Sequence, residues 1–336
     1  MSEETKLTKR KHDIKTTSNE TAVNNEEREE EKTPVEKSST EKDVKSPKFG
    51  PMPSFKHQRV WSRIVVLIGL AIYIWYFATR TKMSNLGFQK DKHDLRGHVV
   101  ICSSDYEQEL STYPQCFPKH CGRYISDKIV TESETNVLLD LAKEGIALGG
   151  SDGGASILDL HSGALSYGTK FINIYSLEES KAIFTKANLA VYKTVKEKVK
   201  AAIADLFGIS TKVLYLTHPT FFSRLDNREP KTEHDEYWQI HVDKDTYGSF
   251  FYTSLLYLTD YGVDFSGGRL IFLDGKPTKP FNVTLEPRKG RVAMFTSGAE
   301  NVHFVERVKS GIRYAVTISF TCDVSKSIEE ASLQED

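Results

Sequence analysis

Hydrophobic positions are sparse over the first fifty residues, unbroken by charge from Ile64 to Ala78, helical in spacing between Glu132 and Phe207, and alternating beyond Lys212. Each pattern predicts a different kind of structure. The stretch Val60–Thr79 is about the length a helix needs to cross a bilayer core. Trp61, Tyr73, Trp75, Tyr76 and Phe77 place aromatics towards its two ends, where membrane interfaces favour them. It is predicted to be a transmembrane signal anchor, the only span of a single-pass type II protein. Residues 1–59 are rich in Lys, Glu, Ser and Thr and carry blocks such as Glu26-Glu27-Arg28-Glu29-Glu30-Glu31-Lys32. Such a composition buries too little apolar surface to offset ordering entropy, so this part is predicted to be a disordered cytoplasmic tail. Residues 80–98 read as a polar stem and residues 326–336 as a short tail.

Within Glu132–Ala147, residues Val137, Leu138, Leu141 and Ala142 share one helical face, and Gly149-Gly150 ends the helix. Leu177–Phe207 reads as one long helix or two, with Leu189, Val191, Val195, Val199, Ala202 and Leu206 as its packing stripe and Gly208 as its stop. Gly149-Gly150-Ser151-Asp152-Gly153-Gly154 lacks the Gly-Lys-Ser/Thr ending of a phosphate loop and is expected to be a flexible loop that could act as a lid. From Lys212 onward the pattern shortens to strands: Val213–Tyr215, Thr220–Arg224, Gln239–Val242, Tyr252–Leu258, Arg269–Phe272, Phe281–Leu285, Arg291–Phe295, Asn301–Val308 and Arg313–Thr321. Gly267-Gly268, Asp274-Gly275, Lys289-Gly290 and Ser310-Gly311 punctuate them. Helices followed by short strands predict an α+β fold whose core, residues 212–325, is a jelly roll (double-stranded β-helix), backed by a cysteine-containing loop and helical support region over 99–211.

The chain has 336 residues and a formal net charge of −1. No basic excess marks it as a nucleic-acid binder. All four cysteines, Cys102, Cys116, Cys121 and Cys322, follow the apolar span. Their even number suits disulfides in an oxidising compartment, although several pairings, free buried thiols or a metal clip all fit the spacing. Asn282-Val283-Thr284 is a glycosylation sequon on the same side. Lys and Arg flank the span almost evenly and decide little. The cysteines and Asn282 together predict that the C-terminal part lies in the lumen of the endoplasmic reticulum or Golgi.

The chemistry concentrates in His241-Val242-Asp243, followed by His303 and Arg313. On a strand, residues two apart emerge on one face, roughly 7 Å apart at Cα, so His241 and Asp243 could reach one metal. His303 would come from another strand. Two imidazoles and one carboxylate with positions left open are the ligand set of a mononuclear non-haem Fe(II) site. Arg313 opens an otherwise apolar strand, where a buried guanidinium is costly unless an anion meets it. Tyr257 could add a hydroxyl to the same anion. His234-Asp235-Glu236 offers a competing His-x-acid pair in loop sequence, and Asp245 is assigned no ligand role.

Taken in order, His241-Val242-Asp243, Tyr257-Leu258, Gly267-Gly268-Arg269-Leu270, Glu286-Pro287-Arg288-Lys289-Gly290-Arg291, His303 and Gly311-Ile312-Arg313-Tyr314 resemble the 2-oxoglutarate- and Fe(II)-dependent oxygenases, in particular their prolyl 4-hydroxylase-like branch. The resemblance implies a jelly-roll core with Fe(II) held by His241, Asp243 and His303. It also implies Arg313 on the distal carboxylate of 2-oxoglutarate and Tyr257 beside it. O2 would be consumed, 2-oxoglutarate would yield succinate and CO2, L-ascorbate would keep the iron ferrous, and a protein or peptide would be hydroxylated. Trp238 departs from this branch, which often has Tyr three residues before the first ligand His; Tyr237 is its neighbour here. The other reading is a jelly-roll module that binds metal or ligand without turnover.

Overall fold

The computed structural model describes residues 56–80, 84–276 and 279–328. Residues 1–55 of the predicted 1–59 tail and 329–336 of the predicted 326–336 tail lie outside them. Gln58–Arg80 forms one helix. Its side chains from Val60 to Trp75 stand outward, with Trp61 63% and Trp75 68% exposed. By length and composition, and by those alone, it could cross a membrane. The chain divides into two compact units between Val66 and Leu67, inside this helix.

In the second unit, among the described residues, an eleven-stranded sheet runs Arg96–Val100, Cys121–Ser126, Val292–Thr296, Tyr252–Tyr257, Arg313–Thr321, Phe221–Leu225, Ala155–Leu158, Ala164–Gly168 and Gly150–Ser151, with two short strands off this path. A four-stranded sheet runs Ser84–Gly87, Lys279–Leu285, Leu270–Lys276 and His303–Val305. From Phe221 onward the chain crosses repeatedly between the two sheets, with Phe265–Gly267 and Val308–Gly311 pairing as a separate two-stranded sheet, a jelly-roll type of arrangement. Leu86, Ile125, Tyr257, Phe272, Val283, Leu285, Phe295 and Ala315 from both sheets meet in one buried layer.

Strand alternation sets what faces where. On Arg313–Thr321, Tyr314, Val316, Ile318 and Phe320 enter the other core, which contains the helices Glu132–Ala147 and Lys186–Phe207. Arg313, Ala315 and Thr317 therefore look inward. Thr131 and Glu134 form a capping box at the start of the first of these helices. Gly208 closes the second at φ 68°, a conformation glycine adopts without a Cβ penalty.

Two readings of the sequence need correction. Residues 84–98, the described part of the predicted stem beyond the helix, are not a stem: Ser84–Gly87 joins the smaller sheet in parallel with Lys279–Leu285, and Leu86 is fully buried. Likewise 99–211 is more than loops and helices, because Cys121–Ser126 and Ala155–Leu158 widen the large sheet on either side of the jelly-roll strands. The span Leu177–Phe207 resolves into a short helix, Ser180–Ile183, and the long Lys186–Phe207.

The cysteines pair as Cys102–Cys121 and Cys116–Cys322. The second ties the connection between Arg96–Val100 and Cys121–Ser126 to the end of the last strand across 206 residues, against 19 for the first. Loop-closure entropy grows with the logarithm of loop length, so the long bridge should stabilise the fold by about 2 kcal/mol more than the short one. Thermal denaturation is expected to show Cys116→Ser/Cys322→Ser melting roughly 4–8 °C below Cys102→Ser/Cys121→Ser. Equal melting points would show that the long loop is already constrained in the unfolded chain.

Candidate active site

His241 and His303 face each other across an isolated β-bridge, with reciprocal backbone hydrogen bonds of 2.9 and 3.0 Å. That bridge brings residues far apart in sequence within ring contact, 4.4 Å between centroids. Asp243 does not continue the strand. It opens a five-residue helix, Asp243–Tyr247, in place of the in-strand position that the His-x-Asp spacing suggested. The turn still brings its carboxylate back to the imidazoles: Oδ1 lies 3.5 Å from His241 Nε2 and 3.6 Å from His303 Nε2. One ligand atom from each of the three lies within 4.8 Å of the others.

The surrounding groups orient all three. Nδ1 of His241 donates to the Gln239 carbonyl at 2.9 Å, and Nδ1 of His303 to the Asn301 carbonyl at 2.8 Å. Both rings therefore present Nε2 as a lone pair to the common point, the tautomer a metal requires. Thr253 Oγ1 donates to Asp243 Oδ2 at 2.6 Å and lies 2.8 Å from Ser297 Oγ, which leaves Oδ1 to face the imidazoles. Lys244 anchors the short helix through Glu109 at 2.7 Å and through the ring of Phe251. Phe272 and Phe295 pack on His303, and the buried Arg123 guanidinium stacks behind Phe272 at 4.6 Å while pairing with Asp274.

The electrostatics follow from this packing. Burial pushes the His303 pKa below its usual value despite Asp243 beside it. Burial also pulls on His241, but Asp243 and the Gln239 carbonyl outweigh it and hold the pKa above the usual value. Burial would raise Asp243, yet His303, His241 and the Thr253 hydroxyl keep it below the usual carboxylate range. The cluster thus carries one carboxylate charge against two nitrogen donors, a donor set that fits Fe(II) with open positions.

Arg313 lines the same cavity, which has a volume of about 600 Å³. It is 2% exposed, and its Nε and Nη2 have no hydrogen-bond partner among the described residues. Burial pushes its pKa down, opposed chiefly by Tyr257 and Tyr237. A buried cation whose N–H donors are unspent is costly unless an anion meets it. Tyr257 is fully buried with its ring 5.2 Å from the guanidinium carbon, and its hydroxyl is also unpartnered among the described residues. Both observations fit a carboxylate held beside the metal point. Leu255, Leu270, Phe295 and Val305 supply apolar walls to that cavity.

The competing pair, His234 and Glu236, lines the cavity outside the three-residue cluster, and it is the residue between them that is structural. Asp235 is fully buried and accepts from Ala155 N, Ser151 Oγ, Lys231 N, Thr232 N and Thr232 Oγ1. Gly153 approaches so closely that a Cβ there would lie 2.1 Å from the Asp235 carboxylate. The glycine-rich segment expected to be a flexible lid is thus clasped to the loop before the ligand strand. Tyr237 donates to the Asp226 carbonyl and accepts from Val308 N, while Trp238 lies under the Arg307 guanidinium. Sequence reasoning missed Thr253, Ser297 and Arg123, whose roles exist only through long-range contacts. Asn282 is exposed on the smaller sheet.

The profile of the 2OG-Fe(II) oxygenase superfamily matches residues 228–321. The chain is 47% identical over 289 residues to the Mus musculus "2-oxoglutarate and iron-dependent oxygenase domain-containing protein 3", covering 82% of this chain and 89% of that protein. Against the Homo sapiens protein of the same name it is 49% identical over 244 residues, 70% of this chain and 75% of the other. It is 28% identical over 218 residues to Homo sapiens "Prolyl 3-hydroxylase 1", covering 60% of this chain and 28% of that longer protein.

Proposed function

The chain belongs to the 2OG-Fe(II) oxygenase superfamily, and on that premise we propose that it hydroxylates a protein or peptide, anchored by its Gln58–Arg80 helix with the sheeted domain in the lumen of the endoplasmic reticulum or Golgi. It is a 2-oxoglutarate-dependent dioxygenase that uses Fe(II), 2-oxoglutarate and O2. The observation that carries the reading is the convergence of His241, Asp243 and His303 in one cavity with a buried Arg313 whose Nε and Nη2 have no hydrogen-bond partner among the described residues.

In this reading His241, Asp243 and His303 hold Fe(II), and L-ascorbate keeps it reduced. When bound, the metal supplies O2 activation coupled to oxidative decarboxylation: 2-oxoglutarate, O2 and a substrate C–H give succinate, CO2 and C–OH. The chain's own groups do the rest. Arg313 grips the distal carboxylate by charge-assisted hydrogen bonds, and Tyr257 walls its far side. Thr253 and the Gln239 and Asn301 carbonyls hold the ligands in register. The apolar walls keep water from the reacting carbon. A protein or peptide target is supported by the relative named for prolyl 3-hydroxylation. Lumenal placement is supported by the two disulfides, the exposed Asn282 of the sequon and the uncovered apolar side chains of the helix.

The full chain, expressed in secretory cells and extracted in detergent, is expected to form succinate from 2-oxoglutarate in an Fe(II)-dependent manner. It should resist alkaline carbonate extraction from membranes, and Asn282→Gln should abolish a glycosidase-sensitive mobility shift. Iron binding with no succinate above the iron-free level would return the non-catalytic module. Release by carbonate would remove the anchor.

A further inference from the structure

The cavity extends well past the metal point and Arg313. A five-carbon diacid fills only part of about 600 Å³, and the lining continues over Ile157, Ala164 and Phe221 to Phe171, Ile240 and Tyr247, which are 45%, 62% and 39% exposed and so mark its mouth. The charge of this outer part is one-sided. Apart from His241, Asp243, His303 and Arg313, the acidic and basic side chains lining the cavity are Asp159, Glu233, Glu236 and His234, with no lysine among them. Glu233 and Glu236 have no Lys or Arg partner among the described residues; Glu236 is contacted by Gln239. Three basic side chains on neighbouring segments are engaged elsewhere, Arg228 with Asp226, Arg307 with Glu229 and Trp238, and Lys244 with Glu109, while Lys170 and Lys231 are exposed outside the lining.

The acidic edge is also fixed in place. Asp235, between Glu233 and Glu236, accepts hydrogen bonds from both the 231–232 turn and the 151–155 segment and so clamps the rim to the large sheet. Asp159 is 6% exposed and accepts from His161 N and Ser162 Oγ. A preorganised, negatively charged mouth above an apolar floor attracts cations and rejects further anions.

We propose that the substrate is an extended cationic peptide segment, seated with lysine or arginine heads at Glu233 and Glu236 and their aliphatic stems on Phe171 and Ile240. This rests on the hydroxylase reading above. It selects against acidic peptides and against nucleic acid, whose charge the rim repels. Lys and Arg suit such a surface because their stems lie along apolar side chains while their heads meet carboxylates.

The test is fluorescence polarisation on the full chain in detergent, loaded anaerobically with Fe(II) and 2-oxoglutarate so that no turnover occurs. The probes are two fluorescein-labelled twelve-residue peptides, one alternating Lys and Ala, the other Glu and Ala. At low salt the Lys peptide is expected to bind at least about tenfold more tightly, and the difference should shrink at 0.5 M NaCl as screening sets in. Glu233→Gln/Glu236→Gln should weaken the Lys peptide about tenfold, whereas Glu178→Gln/Glu179→Gln, an equal charge change on an exposed turn away from the cavity lining, should leave it within about twofold. Equal affinity for both peptides, a preference that survives the mouth substitution, or an equal loss in the control pair would overturn the proposal. Succinate formation by the unsubstituted chain is measured separately, so a failed peptide preference with intact succinate formation rejects the substrate class and leaves the hydroxylase reading standing.

Discussion

Asp243→Ala is expected to remove tight Fe(II) binding and to lower succinate formation by roughly a thousandfold or more, since the metal contributes several kcal/mol to the reaction and each factor of ten is about 1.4 kcal/mol. The expectation follows from charge as well as from ligand count. Asp243 is the only carboxylate in the three-residue cluster and is 4% exposed. Without it, two imidazoles remain beside a buried Arg313, and the neutral pair no longer compensates a divalent cation. Thr253 Oγ1 would also lose the acceptor that orients it. Anaerobic Fe(II) titration with 2-oxoglutarate provides the direct readout: bidentate chelation produces a weak visible charge-transfer band, which should be missing in Asp243→Ala and present in Asp245→Ala, two residues further along the helix and outside the cluster. A normal band and normal succinate formation in Asp243→Ala would remove the metal assignment.

How much of this site was legible depends on the range of the interaction. His241, Asp243, His303 and Arg313 stand out because each is a polar residue in or beside apolar, strand-like sequence, and their order restricts what they can do together. The inward side of Arg313 follows from alternation along Arg313–Thr321, whose other face is apolar. What alternation could not show is that Asp243 leaves the strand: only the backbone turn of Asp243–Tyr247 places it. Ser84–Gly87 escaped because Ser-Asn-Leu-Gly has no periodicity, and it is the partner strand Lys279–Leu285 that makes it a strand. Four cysteines allow three complete pairings, and local spacing does not choose among them. The Asp235 clasp joins segments about eighty residues apart, so neither the glycines nor the acid reveals it alone. Conversely, parts of the motif order that look chemical are structural. Arg291 pairs with Asp127 in a buried bridge, and Arg269 forks onto Glu306 at 2.7 and 2.6 Å.

Arg313→Ala separates co-substrate binding from metal binding, and its effect should be nearly as large as that of Asp243→Ala. The guanidinium sits fully inside the cavity wall with two N–H-bearing nitrogens unspent, so its cost in the free protein is recovered only when a carboxylate arrives. Truncating one partner of a buried charge pair costs about 2–5 kcal/mol, which is a rise in the 2-oxoglutarate KM of roughly 30- to several-thousandfold. Iron affinity should change little, because Arg313 is no ligand and contributes no hydrogen bond to His241, Asp243 or His303 among the described residues. Arg313→Lys should recover only part of the loss, since an ammonium is a point charge without the planar fork that meets both carboxylate oxygens. The folded state gives a second, independent readout. Removing a buried, unpaired cation relieves a desolvation cost, so Arg313→Ala without 2-oxoglutarate should melt no lower than the unsubstituted chain, beyond what the cavity it leaves takes away. A 2-oxoglutarate concentration that just saturates the unsubstituted, iron-loaded protein should raise its melting temperature and raise that of Arg313→Ala far less, because the stabilisation grows with the logarithm of ligand concentration over Kd and vanishes when Kd is far above that concentration. An unchanged KM with an unchanged thermal shift would mean that the diacid is held elsewhere in the cavity, and that Arg313 is buried for packing alone.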